Sequence, residues 1–276
     1  MIHGDVKLLN AVRVGTCLRL IDFDASVKIG KACFAGANAI FSSGMLPPEM
    51  IVKLTVEDYE KYMAYFKTNL NAAGREKIQP KGVAGSNTIF AVKTFLTKPS
   101  KEQQYDEHGE VIWRICQEPI EREDLPSKLV KATAAIDIWS FGAVLYELHT
   151  GKSLFAVDRD DNLSDGASMK ELCEWTDEKK MSKLHSVNDL SAYSLLKKVL
   201  SADPSKRYKT MEELLRDRYF TSLDPTEEVE LLAQIVTEKV IQGVTIVIEI
   251  KTQKVRELIE SSTSVMCNAI FEATDV

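Results

Sequence analysis

The chain has 276 residues, of which 45% are hydrophobic and 28% charged, and its formal net charge is −6 at pH 7. The length allows a substantial hydrophobic core, and the composition is that of an ordinary globular protein. The acidic balance argues against a nucleic-acid partner or an anionic membrane surface, and no apolar run is long enough to span a bilayer.

The cysteines favour reduced thiols over a disulfide framework, because they are odd in number, widely scattered and without a Cys-x-x-Cys pair. They are Cys17, Cys33, Cys116, Cys173 and Cys267. The first residues also lack the basic and apolar regions of a signal peptide. We therefore expect a cytoplasmic protein.

Short strands are predicted in the first half of the chain. Residues 18–22 form an apolar strand that can pair with residues 12–14 as a hairpin about Gly15. Two stretches of alternating hydrophobicity, 88–96 and 110–116, can form a second hairpin with each other.

Helices are predicted mainly in the second half. The strongest covers 133–151, where apolar residues repeat with a period near 3.6 and Gly151 occupies the position of a C-cap. The tail, 224–276, is expected to be a helical extension packed on the domain, the alternative being a coiled-coil or dimerisation arm. The other predicted helices are 56–70, 167–180, 188–201 and 210–217.

A group of polar residues with a specific spacing opens the chain. His3, Asp5, Lys7 and Asn10 follow one another closely, and Asp22 comes after the apolar strand. A single His-x-Asp pair is common by chance, whereas this set is specific. It supplies what phosphoryl transfer needs: a carboxylate to position a hydroxyl, a compensating positive charge and ligands for metal ions.

Three further motifs follow in a fixed order: P-P-E ending at Glu49, D-I-W-S-F-G beginning at Asp137, and D-P-S-K-R ending at Arg207. Together with the opening residues they resemble the large lobe (C-lobe) of a eukaryotic protein kinase of the serine/threonine or tyrosine-kinase-like type. The resemblance covers residues 2–50 and about 133–220.

The resemblance implies a mainly α fold with a small β element. A kinase-like C-lobe would occupy 1–223 and carry a long insertion at about 55–128, before the extension 224–276. The insertion would recruit substrates or regulate the cleft, or be an unspecialised surface elaboration. Its glycines and Lys93 echo a glycine-rich loop and its lysine in the wrong order, and a surface hairpin explains Lys93 more simply.

The resemblance also implies catalytic roles. Asp5 would orient the substrate hydroxyl and accept its proton, and Lys7 would lie beside the γ-phosphate. Asn10 and Asp22 would bind Mg²⁺ and, together with Val12, the nucleotide. The implied cofactors are ATP and Mg²⁺, and the implied substrate is a protein hydroxyl.

Five residues have implied structural roles. Glu49 would form a buried bidentate ion pair with Arg207. Asp137 would hold the catalytic loop through backbone amides, and His3 and Phe23 would stack beside it. The helix dipole alone also favours a carboxylate in the first turn of a helix, but the motif around Asp137 favours the first interpretation.

Two positions depart from the family pattern. Gly4 replaces an arginine that contacts a phosphorylated activation loop, so activation through that contact is not expected. Asp24 replaces the glycine of D-F-G, which would restrict movement of that motif. Ser42 matches the residue that contacts the catalytic aspartate and lysine. Ser42 and Ser43 are also candidate regulatory phosphosites, the alternative being plain loop serines.

Three functions are compatible with these features. The first is the catalytic region of a protein serine/threonine kinase, in an incomplete chain with its ATP-binding N-lobe encoded upstream and with little activity alone. The second is a pseudokinase without an N-lobe that serves as a binding or scaffold module. The third is oligomerisation through 224–276. Retention of Asp5, Lys7, Asn10 and Asp22 favours the first.

Overall fold

The computed structural model describes residues 1–30, 33–34, 41–67, 72–105, 108–120 and 122–221. The predictions made for the tail, 224–276, lie outside the described residues. Strands prevail up to residue 131 and helices from residue 134 onward. The expected mainly helical character therefore applies to the second half, and the described chain is a mixed α and β protein.

Two of the described helices come before residue 134, and the other five begin at or after it. Their bounds, in chain order, are α1 Val56–Lys67, α2 Ala72–Lys77, α3 Ala134–Thr150, α4 Gly166–Cys173, α5 Asp177–Leu184, α6 Leu190–Val199 and α7 Met211–Leu214. The helices predicted over 133–151 and 188–201 are confirmed as α3 and α6. The helix predicted over 56–70 begins at Val56 as expected, and α7 covers part of 210–217.

The described strands form four small antiparallel sheets. Three are pairs, and one has three strands in the order β4-β6-β5. The strands are β1 Ala11–Val14, β2 Cys17–Leu20, β3 Cys33–Phe34, β4 Ile51–Leu54, β5 Lys81–Gly82, β6 Ile89–Val92, β7 Thr97–Tyr105, β8 Val111–Pro119 and β9 Val130–Lys131. The hairpin of β1 and β2 about Gly15 is confirmed, and Gly15 has the positive φ of +61° that suits glycine.

Helix α3 lies at the centre of the core. Its residues Ile138 and Trp139 are 0% exposed, so the helix is surrounded by other parts of the chain. Gly142 permits the close approach of α6, because a Cβ atom there would meet Val199 Cγ2 at 2.7 Å. The helix ends at Gly151, which has φ +67° and donates its N–H to a carbonyl of the last turn, as the predicted C-cap requires.

Two predictions of secondary structure are wrong in their pairing or continuity. The stretches 88–96 and 110–116 do not pair with each other, because β6 lies between β4 and β5 while β7 supplies the partner of β8. The helix predicted over 167–180 is two helices. The side chain of Thr176 accepts a hydrogen bond from Lys179 N and so starts α5 anew.

The segment inserted between Glu49 and α3 takes part in the main core. Tyr62, Phe90 and Leu96 from this segment are at most 1% exposed and belong to the same hydrophobic cluster as Trp139. Lys93 is therefore not part of a surface hairpin, and that prediction is wrong. Its backbone N–H donates to Met50 O, and its ammonium group donates to the backbone carbonyl oxygen of Glu49.

Within the described parts of the chain, every helix is too short or too polar to cross a membrane.

Candidate active site

The expected catalytic loop, residues 3–10, is fixed to the N-terminal end of α3 by Asp137. Its carboxylate accepts hydrogen bonds from the backbone N–H groups of His3 (2.6 Å) and Gly4 (2.9 Å). Burial raises the pKa of Asp137, and the two backbone hydrogen bonds oppose that shift. Asp137 therefore joins the first residues of the chain to a helix more than 130 positions later.

Glycine at position 4 fits the backbone conformation of the loop. Gly4 has φ +85°, in the left-handed region that side chains with a Cβ rarely adopt. Immediately after it, Asp5 N donates to His3 Nδ1 at 3.3 Å. The turn thus brings the Asp5 side chain to the interior, where the residue is 7% exposed.

The Asp5 carboxylate is held on both oxygens. Ser42 N donates to Oδ1 at 2.9 Å, and Asn10 Nδ2 donates to Oδ2 at 3.1 Å. The same Asn10 amide group donates to Asp5 O at 2.9 Å. Lys7 Nζ lies 3.4 Å from Oδ2. The carboxylate is consequently fixed in position, and its negative charge is partly balanced.

Lys7 connects the catalytic loop with two other segments. Its ammonium group donates to Ser42 Oγ at 2.7 Å and lies 4.0 Å from Asp161 Oδ2. Asp161 has φ +61°, and its backbone O accepts a hydrogen bond from Gly44 N. Burial raises the pKa of Asp161, an effect that the nearby Lys7 charge opposes.

Sequence reasoning missed Asp161 as a site residue. The available signal was the run of acidic and amide residues at 158–162, which follows α3 and precedes the N-cap of α4. Such a run reads equally well as a solvent-exposed loop. Only its return to Gly44 in three dimensions places one of its carboxylates beside Lys7.

The two expected metal ligands lie at the ends of the small hairpin. Asn10 directly precedes β1, and Asp22 comes two residues after the end of β2. Ile21 N donates to Asn10 O at 2.9 Å, so Asp22 is the next residue after the one whose backbone pairs with Asn10. Asp22 is exposed and has φ +64°. Asp24, which replaces the glycine of the D-F-G motif, does not have a positive φ. The positive φ in this motif belongs to Asp22.

The donor set of these two residues fits Mg²⁺. Since the Asn10 amide nitrogen is used by Asp5, the amide oxygen is the atom that remains for a cation. Mg²⁺ is commonly held by one or two protein oxygens together with phosphates and waters. Asn10 and Asp22 would hold it in that way. Within the described ranges there is no group of three or more His, Cys, Asp or Glu side chains that would form an all-protein cage.

Val12, Phe23 and His3 lie near the same hairpin. Val12 is half-buried on β1 opposite Arg19. The rings of His3 and Phe23 are 4.8 Å apart, and His3 Nε2 is 3.1 Å from Ile21 O. His3 therefore contacts both the Asp22 motif and, through its backbone, Asp137.

Ser42 and Ser43 are buried and engaged in hydrogen bonds. They are 3% and 5% exposed. Ser43 N donates to Asn162 Oδ1, and Ser43 Oγ accepts from Leu163 N. Phosphorylation of either hydroxyl would require this segment to move away from the 158–163 loop.

Glu49 and Arg207 form a bidentate ion pair with N–O distances of 2.8 and 2.9 Å. The Arg207 side chain is 0% exposed and also donates to carbonyl groups of Ser201 and Ala135. Its guanidinium group lies 4.9 Å from the ring centre of Trp139. The pair ties the segment after Ser42 to the helical core.

A cavity of about 720 Å³ opens beside the catalytic loop. One side consists of Lys7, Leu9 and Ser42, and a second of residues in the 158–162 loop. The third side comes from the inserted segment, at Glu76 and at Gln79 through Lys81. The space is large enough for several residues of an extended polypeptide.

A central buried helix, an aspartate that holds a loop through backbone amides and a buried glutamate–arginine pair are together typical of the helical lobe of a phosphotransferase. Comparison with protein families matches residues 123–220 to the protein kinase domain. This region, which contains α3 to α7, is therefore similar to part of a protein kinase domain. No curated protein matches the chain at a significant level.

Proposed function

We propose that the chain carries the catalytic region of a protein serine/threonine kinase, which transfers the γ-phosphate of ATP to a protein hydroxyl. The observation that carries the proposal is the Asp5 carboxylate, which is held by Asn10 and Ser42 next to the Lys7 ammonium group. Lys7 and Ser42 in turn line an open cavity. The match of residues 123–220 to the protein kinase domain supports it from an independent part of the chain.

In this reaction the acceptor oxygen forms a bond to the γ-phosphorus, and the bond from that phosphorus to the β,γ-bridging oxygen breaks. The proton of the acceptor hydroxyl passes to Asp5, and ADP is the leaving group. Lys7 stabilises the negative charge that spreads over the transferred group. Mg²⁺, when bound, supplies charge neutralisation on the phosphates. The hydrogen bond from Lys7 to Ser42 keeps the ammonium group next to the Asp5 carboxylate.

An apolar face next to the proposed metal ligands supports a second part of the proposal. All four residues of β2 are exposed, with Leu18 at 76%, and Val14 and Phe23 are 61% and 52% exposed. Exposed apolar side chains that are close together in the chain, as here, are a feature of surfaces that another surface covers. An ATP-binding lobe on this face would enclose the nucleotide between itself and Val12.

The test is a phosphotransfer assay on the protein expressed from its own gene with a C-terminal affinity tag, so that every part of the native product is retained. Labelled γ-phosphate should appear on serine or threonine of a mixed peptide library. Asp5→Asn should reduce transfer by at least about a thousandfold, because the proton acceptor and its charge are lost. The matched control is Glu60→Gln, which removes an exposed carboxylate on α1 and should leave transfer unchanged.

Two results would contradict the proposal. Transfer by Asp5→Asn at the wild-type rate would exclude Asp5 as the base. A wild-type protein that transfers no phosphate, yet retains partners in an affinity purification, would favour the scaffold function of a pseudokinase.

A further inference from the structure

The cavity beside the catalytic loop has one wall that the kinase-like motifs do not provide. Lys7 and Ser42 belong to the motifs, whereas Glu76, Gln79 and Lys81 belong to the inserted segment. The insertion therefore lines the same cavity as Lys7 and Ser42. This location makes it a candidate for recognising whatever polypeptide presents the acceptor hydroxyl.

The wall is anchored to the helical half at two points. Lys81 Nζ donates to the carbonyl oxygens of Leu163 and Ser164. Nearby, Gly166 at the start of α4 packs directly against the backbone of β5, because a Cβ atom at Gly166 would lie 2.8 Å from Val83 N and overlap the carbonyl of Gly82. Glycine at 166 is thus required for this close approach.

The wall is also anchored to the core behind it. Ile78 is 3% exposed, and its carbonyl oxygen accepts a hydrogen bond of 3.1 Å from the buried hydroxyl of Tyr62. Strand β5 is paired with β6, which is itself buried. The segment from Ile78 to Lys81, which directly follows Glu76, is thus anchored from both sides and can present a defined surface to a ligand.

The cations that line the cavity already have partners. Lys7 is engaged by Asp5 and Asp161, and Lys81 by carbonyl groups. Arg159, which also lines the cavity, lies 3.8 Å from Asp160. Glu76 lines the cavity and forms no ion pair or side-chain hydrogen bond with another residue in the described part of the chain. It therefore adds a negative charge to this wall of the cavity.

We propose that the acceptor polypeptide lies in this cavity and that Glu76 selects a basic side chain close to the acceptor hydroxyl. The inserted segment is then a specificity-determining element of the kinase, and Lys81 is a positioning residue that keeps it in place. This inference rests on the proposed function for the identity of the ligand. A carboxylate and a guanidinium or ammonium group attract each other most strongly where the surrounding surface excludes water.

The test compares two labelled peptides, each with one serine, flanked either by arginines or by alanines. Binding is measured by fluorescence anisotropy with the tagged native protein, and phosphotransfer is measured on the same peptides. Glu76→Gln should reduce the preference for the arginine peptide by about threefold to fivefold, as expected for a charge pair that involves an exposed carboxylate. The alanine peptide should bind as before. Glu60→Gln is the control for loss of a carboxylate outside the cavity.

Lys81→Ala tests the contact that holds the wall in place separately from the charge of Glu76. It should weaken binding of both peptides by a similar factor and raise KM more than it lowers kcat, because the wall moves while Asp5 and Lys7 remain in place. Lys81→Arg, which retains a donor, should restore most of the binding. Loss of activity through misfolding would instead affect kcat, KM and thermal stability together.

The outcomes distinguish this inference from the proposed function. If Glu76→Gln leaves the ratio of the two affinities unchanged while the wild type transfers phosphate, the inference is overturned and the kinase assignment stands. If no phosphate is transferred but the arginine peptide binds in a Glu76-dependent manner, the recognition site stands and the kinase assignment fails. If neither peptide binds at millimolar concentration, the inference is wrong.

Discussion

Arg207 donates hydrogen bonds to both carboxylate oxygens of Glu49 across 158 positions of sequence. Since the Arg207 side chain is 0% exposed, removal of Glu49 would leave a buried positive charge without its counter-ion. Breaking such a pair costs about 3–5 kcal/mol. We expect Glu49→Ala to lower the free energy of unfolding by about 3 kcal/mol, near the lower limit because Glu49 itself is 22% exposed.

Urea unfolding followed by circular dichroism checks this prediction. The control is Glu57→Ala, which removes an exposed pair with Lys61 on α1 and should cost less than about 0.5 kcal/mol. Equal effects of the two substitutions would show that the buried pair does not hold the segment to the core.

Ser42 acts on Lys7 through its hydroxyl and on Asp5 through its backbone. Ser42→Ala removes only the hydroxyl, so Asp5 keeps its hydrogen bond while Lys7 loses a donor–acceptor contact of 2.7 Å. We expect kcat to fall between about tenfold and a hundredfold through misplacement of Lys7, with little change in stability. Steady-state kinetics of Ser42→Ala and Ser42→Thr provide the measurement. Wild-type kcat in Ser42→Ala would refute the role of the contact.

Gly166 and Gly82 face each other but differ in the space around them. A Cβ atom at Gly166 would overlap the β5 backbone, whereas a Cβ atom at Gly82 would meet nothing within 4 Å. We expect Gly166→Ala to destabilise the protein by about 1–3 kcal/mol through overpacking and Gly82→Ala to change stability by less than about 0.5 kcal/mol. Thermal unfolding of the two variants in parallel gives the comparison.

Asp137 should contribute a pH-dependent term to stability. Burial raises the pKa of its carboxyl in the folded state above the ordinary value of 3.8, so the native protein binds this proton more tightly than the unfolded chain. The wild-type free energy of unfolding therefore falls as pH rises from 3.8 through the raised native pKa, and the contribution is constant above it.

Asp137→Asn removes this titration and one of the two acceptor contacts to the loop. It should cost about 1–3 kcal/mol at low pH, because one backbone N–H of the catalytic loop loses its acceptor. The difference in free energy of unfolding between wild type and variant should become smaller as pH rises from 3.8 through the raised pKa of Asp137. Urea unfolding of both proteins in steps from about pH 4 to pH 7 measures it. If the difference grows with pH instead, the backbone hydrogen bonds lower the pKa of Asp137 by more than burial raises it.

Local signals in the sequence predicted the elements whose stability depends on near neighbours. The period of apolar residues and Gly151 predicted α3 closely, and the spacing around Gly15 predicted the first hairpin. The pairing of 88–96 with 110–116 was wrong because alternation marks a strand without identifying its partner. Similarly, Thr176 interrupts the helix predicted over 167–180 by a capping contact that periodicity does not detect.

The sequence by itself determined which chemical groups are available: a carboxylate, a lysine and an amide at close spacing, followed by an acidic residue after a strand. These groups could be found because motif spacing is a one-dimensional property. Only the tertiary structure decided which distant groups join them. Asp161 reaches Lys7, and Glu76 reaches the cavity, through the packing of segments that are far apart in sequence. Such contacts depend on the burial of whole surfaces against one another, which no short pattern encodes.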